Sequence, residues 1–232
     1  MDDPPTVTVP NRVPGVVAVR LALLDLDGTL LAGPSSEQLF ILHLLRNRIL
    51  GPRQGWAAAG FLWRYSGRYG RHVWRKDKAY LSGLDAALLV PVAAAFVRNF
   101  LISRLRPAML ERLRRHQRDG DIPILLTGTL DLIAGPLANH LGISHWCATI
   151  CAQRHGRFMP QPPERHPFGR EKLALASCLA EQLGLALADA TAYADSRHDL
   201  PLLEAVAHPV AVNPAPGLAR AAHRRGWEVL TD

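Results

Sequence analysis

Two aspartates separated by one residue are the first candidates for chemistry in this sequence. Asp25 and Asp27 lie in the segment DLDGTL, directly after the apolar run VAVRLALL. If Asp25 ends a strand, Asp27 lies in the following turn and can face the same cavity. Two carboxylates in this arrangement suit metal binding combined with proton transfer. The alternative is a structural pair that stabilises a turn or caps a helix.

Other polar candidates also follow apolar segments. Thr127 comes directly after one such segment, and Asp195 and Asp199 follow another. Ligands of open parallel sheets bind beyond the carboxyl ends of the strands, so we expect these residues to meet the aspartate pair there. Lys172, near the start of a predicted helix, is the candidate cation. Each has a simpler alternative: Thr127 as the end of a strand, Lys172 as a solvated charge and Asp199 as a helix N-cap.

The hydrophobic pattern predicts the elements that position these residues. The run at 17–24 is almost continuously apolar, which is typical of a central parallel strand covered on both faces. Strands and helices alternate after residue 106, which favours an α/β fold: a Rossmann-like core with a parallel sheet and helices on both faces. The predicted strands are 17–24, 122–126, 146–150, 191–194, 209–212 and 227–230. The predicted helices of the core are 107–119, 130–141, 170–183, 200–206 and 217–225.

The segment between the first two predicted strands has a different pattern. No strand periodicity occurs in it, and its stretch 84–105 is typical of a helix broken at Pro91. We therefore predict an inserted, all-helical domain. A further stretch, 153–168, is rich in proline and predicts a loop or hairpin. The predicted organisation is a loose N-terminal arm at 1–16, a core at 17–32 and 107–232, and a helical insertion at 33–106.

Composition excludes several classes of protein. The chain has 232 residues, of which 48% are hydrophobic, so it can form a sizeable core and is not disordered. Three cysteines are too few for a disulfide framework, and no signal peptide is recognisable, which predicts a cytoplasmic protein. The apolar stretch 86–97 contains Pro91 and is too short to span a bilayer. The net charge of +7 indicates an anionic ligand.

Together these segments resemble the four motifs of the haloacid dehalogenase superfamily. The resemblance covers 17–231, and the helical insertion is similar to the cap of that superfamily. Three features are similar to the phosphoserine-phosphatase-like branch of that superfamily: the helical insertion, DLPLLEAV at 199–206 and AVNP at 211–214. The four matching parts are, in chain order, DLDGTL at 25–30, Thr127 after an apolar strand, Lys172 at a helix start, and DSRHD at 195–199.

The resemblance implies a catalytic role for most of the candidates. Asp25 would attack phosphorus and form an aspartyl-phosphate. Asp27 would protonate the leaving oxygen and then deprotonate the attacking water. Thr127 and Gly128 would bind phosphate oxygens, and Lys172 would supply positive charge to the transition state.

The resemblance also implies Mg²⁺ as the cofactor. Asp25, the backbone carbonyl of Asp27, and Asp195 would hold the ion, with waters completing an octahedron. Asp199 would support the site by orienting Lys172 or a metal-bound water.

The sequence departs from the family pattern at a few positions. His198 precedes the last aspartate where relatives usually have asparagine, and Thr129 follows Gly128 where many relatives carry another small residue. Arg170 is a rival to the motif lysine. Pro34 replaces the cap acid that reads the substrate ammonium in phosphoserine phosphatases, and Glu37 is the nearest acid that could take its place.

The segment 60–80 of the insertion is basic and aromatic. With Glu37, its members Arg68, Arg71 and Arg75 are the predicted substrate-reading residues of the cap. The alternative is an amphipathic cap helix whose aromatic residues pack inward and whose arginines are solvated. A basic and aromatic surface can also bind nucleic acid or anionic lipid.

The sequence therefore favours a Mg²⁺-dependent phosphomonoesterase that acts on a small phosphorylated metabolite. Histidinol phosphate and phosphoserine are the candidate substrates. One alternative is a phosphotransferase or mutase of the same fold, which passes the phosphoryl group to a second hydroxyl. Another is a binding module that uses the basic cap on nucleic acid or anionic lipid. The complete set of acids and lysine argues against a nucleic-acid partner, because a binding module needs no such set.

Overall fold

The computed structural model of the protein describes residues 19–231, except for the side chain of Arg71. The predicted N-terminal arm and the start of the first predicted strand lie outside this range. Within it, the strands are β1 (Leu21–Leu24), β2 (Ile122–Leu130), β3 (His145–Thr149), β4 (Gln153–Arg154), β5 (Arg157–Phe158), β6 (Thr191–Ala194), β7 (His208–Val212) and β8 (Glu228–Leu230). The helices are α1 (Ser36–Arg46), α2 (Pro52–Tyr69), α3 (Val73–Lys76), α4 (Ala86–Phe96), α5 (Pro107–Arg118), α6 (Asp131–Leu141), α7 (Arg170–Gln182), α8 (Leu200–Leu203) and α9 (Pro216–Arg225).

The core is a parallel sheet with helices on both faces, as the sequence predicts. In the described part of the chain, six strands pair in the order β3-β2-β1-β6-β7-β8, and every neighbouring pair is parallel. Leu21 and Leu23 of β1 pack on one face with residues of α7 and α9, whereas Leu24 packs on the other with residues of α5 and α6. This alternation follows from the period of two along a strand. It explains why the strand is apolar throughout.

The second strand is longer than its apolar pattern predicts. It continues beyond Leu126 to Leu130, and its pairing with β3 shifts register between these two residues. The side chain of Thr127 accepts a hydrogen bond from the backbone N–H of Thr129 at 3.1 Å, which holds this irregular segment. The residues TGT at 127–129 are polar or small, so they gave no strand signal in the sequence. In the structure this segment bends at the edge of the sheet where ligands bind.

The inserted segment is helical, and two of its helices are packed into the core. Phe40 of α1 and Phe96 of α4 belong to the same buried cluster as Ile133 and Leu137 of α6. At the base of the insertion, the backbone N–H of Ala32 donates to the carbonyl of Arg104 at 2.9 Å. The two linkers therefore run side by side.

The predicted break at Pro91 is wrong, because α4 continues through this residue. A proline removes one backbone hydrogen bond, whereas buried Leu89, Ala93 and Phe96 anchor the helix. A π-helical turn (Val97–Leu101) and a 3-10 turn (Ile102–Arg104) extend the segment. Among the described residues, one helix, Ala86–Arg104, is long and apolar enough to cross a membrane by length and composition alone.

A short hairpin of the core touches the insertion. Strands β4 and β5 form the hairpin, as the proline-rich stretch suggested. The backbone N–H of Gly83 donates to the carbonyl of Phe158 at 2.8 Å, and the N–H of Phe158 donates to Leu84 at 3.0 Å. Core and insertion are thus joined by backbone hydrogen bonds as well as by side-chain packing.

Candidate active site

The catalytic candidates meet at the carboxyl edge of the sheet. Asp25 follows β1, Asp195 follows β6, Thr127 lies in the irregular part of β2, and Lys172 lies in the first turn of α7. All line one cavity of about 580 Å³ between the core and the insertion. The structure therefore brings Lys172 together with the residues that the sequence selected by their position after strands.

Lys172 joins two of the aspartates at the floor of this cavity. Its ammonium lies 2.6 Å from Oδ1 of Asp25 and 2.9 Å from Oδ1 of Asp199. Burial disfavours charge on Lys172, but Asp199 and Asp25 outweigh burial and raise its pKa above that of a free lysine. The side chain is thus a fixed cation. The rival Arg170 is exposed at the start of the same helix.

Asp25 sits in a crowded electrostatic environment. Burial raises the pKa of this carboxyl, Lys172 opposes that shift, and Asp199 adds to it. The hydroxyl of Thr29 donates to Oδ2 of Asp25 at 3.3 Å. Because the lysine and the hydroxyl contact different carboxylate oxygens, the side chain is held in one orientation.

The acidic cluster fits a divalent cation. Ligand oxygens of Asp25, Asp195 and Asp199 lie within 4.8 Å of one another. Burial, followed by the charges of Asp25 and Asp199, raises the pKa of Asp195 to about 7. With Lys172 as the counter-ion described above, three carboxylates leave an excess of buried negative charge. Hard oxygen donors with such an excess are the ligands that Mg²⁺ prefers.

Gly28 allows the cluster to close. Its φ is 84°, and a Cβ at this position would lie 2.2 Å from Oδ2 of Asp195. A side chain at this turn would displace the aspartate, so the glycine of DLDGTL is required for the approach of β1 and β6.

Asp27 lies at the entrance to the insertion. Its Oδ1 accepts a hydrogen bond from the backbone N–H of Ser36, the first residue of α1, at 2.7 Å. Burial raises the pKa of Asp27 to about 6, although this hydrogen bond opposes the shift. A carboxyl with such a pKa can both donate and accept a proton near neutral pH.

The wall formed by β2 carries a buried polar network. Thr149 donates its hydroxyl proton to the carbonyl of Gly128 at 2.6 Å, and its oxygen lies 2.8 Å from Nδ1 of His166. Because the hydroxyl proton is already used, Nδ1 of His166 carries the proton that it donates to Thr149. Burial, followed by the charges of Lys78 and Lys76, lowers the pKa of His166 to about 3. The imidazole is therefore neutral.

Glu37 lines the cavity, but its charge is already paired. Its Oε2 accepts from Nζ of Lys78 at 2.5 Å, and its Oε1 accepts from the hydroxyl of Tyr80 at 2.7 Å. Both donors are buried. An incoming ammonium would have to compete with Lys78 for this carboxylate.

Asp77 is an acid of the cavity wall that the sequence analysis did not select. Burial raises its pKa to about 6, and the backbone N–H of Ala79, which donates to it at 2.9 Å, opposes the shift. Asp77 is the one acid in the basic segment 60–80. A single acid among basic residues is the sequence feature that could have identified Asp77.

Arg75 is the predicted cap arginine that reaches the cavity. Its guanidinium stacks on Trp74 at 4.6 Å and on Phe168 of the core at 4.7 Å. Nη2 of Arg75 lies 3.5 Å from Nε2 of His198, the unusual residue of the last motif. Burial lowers the pKa of Arg75, and the charges of Asp195 and Asp199 oppose this.

Arg68, another predicted cap arginine, does not reach the cavity. Arg68 is exposed and lies over the ring of Tyr69 at 5.4 Å. It is not among the cavity-lining residues of the described chain. Arg71 was also predicted, but its side chain is outside the described part of the structure. Both stay predictions as substrate readers, and for Arg68 the described cavity lining gives no support.

Comparison with protein families gives a match over most of the chain. The model of the haloacid dehalogenase-like hydrolase family matches residues 22–204. The match runs from β1 to just beyond α8 and thus includes all four sequence motifs.

Known proteins similar to the chain include several named as phosphatases. A probable phosphatase of Mycobacterium tuberculosis strain H37Rv is 30% identical over 99% of this chain and 82% of its own length. The phosphoserine phosphatase SerB1 of the same strain is 28% identical over 94% and 73%. A histidinol-phosphatase of Neisseria meningitidis is 25% identical over 91% and 98%. A solved structure from Bordetella pertussis, of unknown function, is 29% identical, with a TM-score of 0.66 over 92% of this chain and 99% of that one.

Proposed function

The chain belongs to the haloacid dehalogenase-like hydrolase family, and we propose that it is a Mg²⁺-dependent phosphatase of small phosphorylated metabolites that works through an aspartyl-phosphate. One observation carries this proposal. The ammonium of Lys172 is held 2.6 Å from Oδ1 of Asp25, beside the cluster of carboxylates. A nucleophile that must approach an anionic phosphoryl group needs a fixed cation at that place.

The side chains can perform both halves of the reaction. A carboxylate oxygen of Asp25 bonds to phosphorus as the bond to the leaving oxygen breaks, and Asp27 gives its proton to that oxygen. Asp27 then takes a proton from water, whose oxygen bonds to phosphorus as the Asp25–phosphorus bond breaks. Thr127 and Gly128 would bind the phosphoryl oxygens.

Mg²⁺ fits the same site. Asp25, Asp195 and Asp199 would hold it through their carboxylates, and Asp27 through its backbone carbonyl. When bound, the ion offsets the negative charge that accumulates between carboxylates and phosphate.

The wall of the cavity supports an amino alcohol phosphate as substrate. The paired state of Glu37 makes Asp77 the better partner for a substrate ammonium. Two of the similar proteins are named phosphoserine phosphatase and histidinol-phosphatase, and these are the first substrates to test.

Phosphate release from a panel of esters tests the proposal. The purified chain is assayed with phosphoserine, histidinol phosphate, glycerol phosphate and para-nitrophenyl phosphate. Activity should require Mg²⁺, disappear with EDTA and return when Mg²⁺ is restored. The change Asp77→Asn should raise KM for the amine-bearing esters about tenfold and leave para-nitrophenyl phosphate unaffected. Asp189→Asn, on the exposed surface, is the control.

Two results would contradict these claims separately. Turnover that is independent of metal would remove the role of the acidic cluster. An equal rise in KM for every ester in Asp77→Asn would show that Asp77 does not bind the substrate amine.

A further inference from the structure

The outward face of α2 exposes two tryptophans. Trp56 is 78% exposed and Trp63 is 86% exposed. Trp63 follows Trp56 by seven positions in the helix, so they project about 20° apart around the helix axis and roughly 10 Å apart along it. The buried residue of this helix, Phe61, lies toward the opposite side. Two large aromatic side chains thus form an apolar stripe on the outer side of the helix.

The sequence around this stripe is strongly basic. No acid occurs between Glu37 and Asp77, whereas the same stretch contains seven arginines and Lys76. Arg53 and Arg64 are exposed on α2. By helical spacing they flank one side of the stripe, about 60° to 80° from Trp56.

We infer that this tryptophan face, formed by Trp56, Trp63, Arg53 and Arg64, docks on the surface of an anionic phospholipid bilayer. Indole rings partition into the interface between lipid headgroups and acyl chains. Arginines beside them are attracted to anionic headgroups. The tryptophans supply apolar contact, the arginines supply charge complementarity, and no acid in the stretch opposes it.

Two other occupants fit the face less well. A second copy of the chain docked face to face would bring arginine against arginine, with no acid of this stretch to pair with either. Single-stranded nucleic acid is bound along grooves that track its backbone, whereas these tryptophans project from the convex side of one helix. A bilayer accepts a convex, basic and aromatic helix face without a complementary groove.

Docking would also bring the catalytic cavity close to the bilayer. Ala58 lies on the inner side of α2 and lines that cavity. The cavity is therefore about one helix diameter, roughly 10 Å, from the membrane surface in the docked state.

Sedimentation of the full chain with vesicles tests the inference. Vesicles of phosphatidylcholine alone are compared with vesicles of equal parts phosphatidylcholine and phosphatidylglycerol. The chain should sediment with the anionic vesicles, remain in solution with the neutral ones and be released by salt. The double change Arg53→Ala with Arg64→Ala should weaken binding by roughly tenfold or more. Trp56→Ala with Trp63→Ala should weaken it comparably and make the remaining binding more sensitive to salt.

A matched control separates this face from net charge. Arg114→Ala with Arg224→Ala removes the same charge from exposed positions of α5 and α9 and should leave vesicle binding unchanged. Equal binding by all variants, or no binding to anionic vesicles, would overturn the inference. So would a dimer in light scattering that the tryptophan changes dissolve, or binding to single-stranded DNA without binding to vesicles. Circular dichroism of each variant confirms folding, and phosphate release without vesicles tests the proposed enzyme independently.

Discussion

At the scale of single residues, the side chain of Asp25 is held in one orientation. Its two oxygens are held by different donors, Lys172 at 2.6 Å and Thr29 at 3.3 Å. That arrangement leaves the carboxylate little freedom to rotate. It matches what a nucleophile requires when the attacking oxygen must be in line with the leaving group.

Changing Asp25 to asparagine should therefore abolish turnover without unfolding the protein. An amide has nearly the same shape but is a very poor nucleophile, so kcat should fall by about a thousandfold or more. The measurement is release of para-nitrophenol in the presence of Mg²⁺, with circular dichroism to confirm the fold. Retention of a tenth of the wild-type rate would show that Asp25 is not the nucleophile.

His166 gives a residue-scale prediction for stability. Burial lowers its pKa from 6.5 to about 3, so between these values the unfolded chain binds a proton that the folded chain does not. The folded state therefore loses stability as pH falls. The loss from this residue between pH 7 and pH 5 is about 2 kcal/mol.

The variant His166→Asn tests that prediction. Asparagine can still donate a hydrogen bond toward Thr149, but it does not titrate. Urea unfolding at pH 7 and pH 5 should show a loss of free energy of unfolding that is about 2 kcal/mol smaller in the variant than in the wild type. Equal losses in both proteins would mean that His166 is charged in the folded state.

At the scale of elements, sequence patterns predicted the sheet and most of the site. Apolar runs marked β1, β6 and β7, and Asp25, Thr127 and Asp195 were placed together because parallel strands end at one edge. What the pattern could not supply is the wall of the cavity. Asp77 and His166 lie in irregular segments, where no periodicity reports on position.

Long-range pairing was also beyond the sequence. Glu37 appeared to be an available acid, but its partners Lys78 and Tyr80 are more than forty residues away. Nothing in the local spacing indicates these contacts. The continuity of α4 through Pro91 was missed for a related reason, because the buried residues around Pro91 outweigh the loss of one hydrogen bond.

The short helix α3 leads to a prediction about specificity. It places Arg75 between Trp74 and Phe168, at the edge of the catalytic cavity. Arg75→Ala should change the ratio of kcat/KM between phosphorylated metabolites and para-nitrophenyl phosphate by about tenfold. Lys172→Ala should lower kcat/KM for all of them together, because it acts on the phosphoryl group that they share.

Arg64→Ala is the matched control for that experiment, since Arg64 belongs to the same basic segment but is exposed and does not line the cavity. It should leave the substrate ranking unchanged. If Arg75→Ala lowers kcat/KM equally for every substrate, Arg75 acts on the phosphate or on the position of α3 instead of on the leaving group.

At the scale of the whole molecule, the insertion and the sheet share one hydrophobic core. Residues of α1 and α4 are buried in the same cluster as residues of β1, β2 and α6. The backbone hydrogen bonds between the hairpin β4–β5 and Gly83 and Leu84 add a second connection. The base of the insertion is thus part of the core, whereas α2 and α3 form its outer layer over the cavity.

A shared core predicts that insertion and sheet unfold together. Phe96→Ala removes a buried ring that contacts Phe40 and packs with α6, and should cost about 3 to 5 kcal/mol. Phe100→Ala, on the same helical segment but 50% exposed, is the control and should cost much less.

In urea, far-ultraviolet circular dichroism and tryptophan fluorescence should give one coincident transition for each protein, shifted to lower urea in Phe96→Ala. Three of the five tryptophans, at 56, 63 and 74, lie in the insertion, and the dichroism reports on helices of both parts. Separate transitions by the two probes would show that the insertion unfolds independently and that its contacts with α6 do not couple it to the sheet.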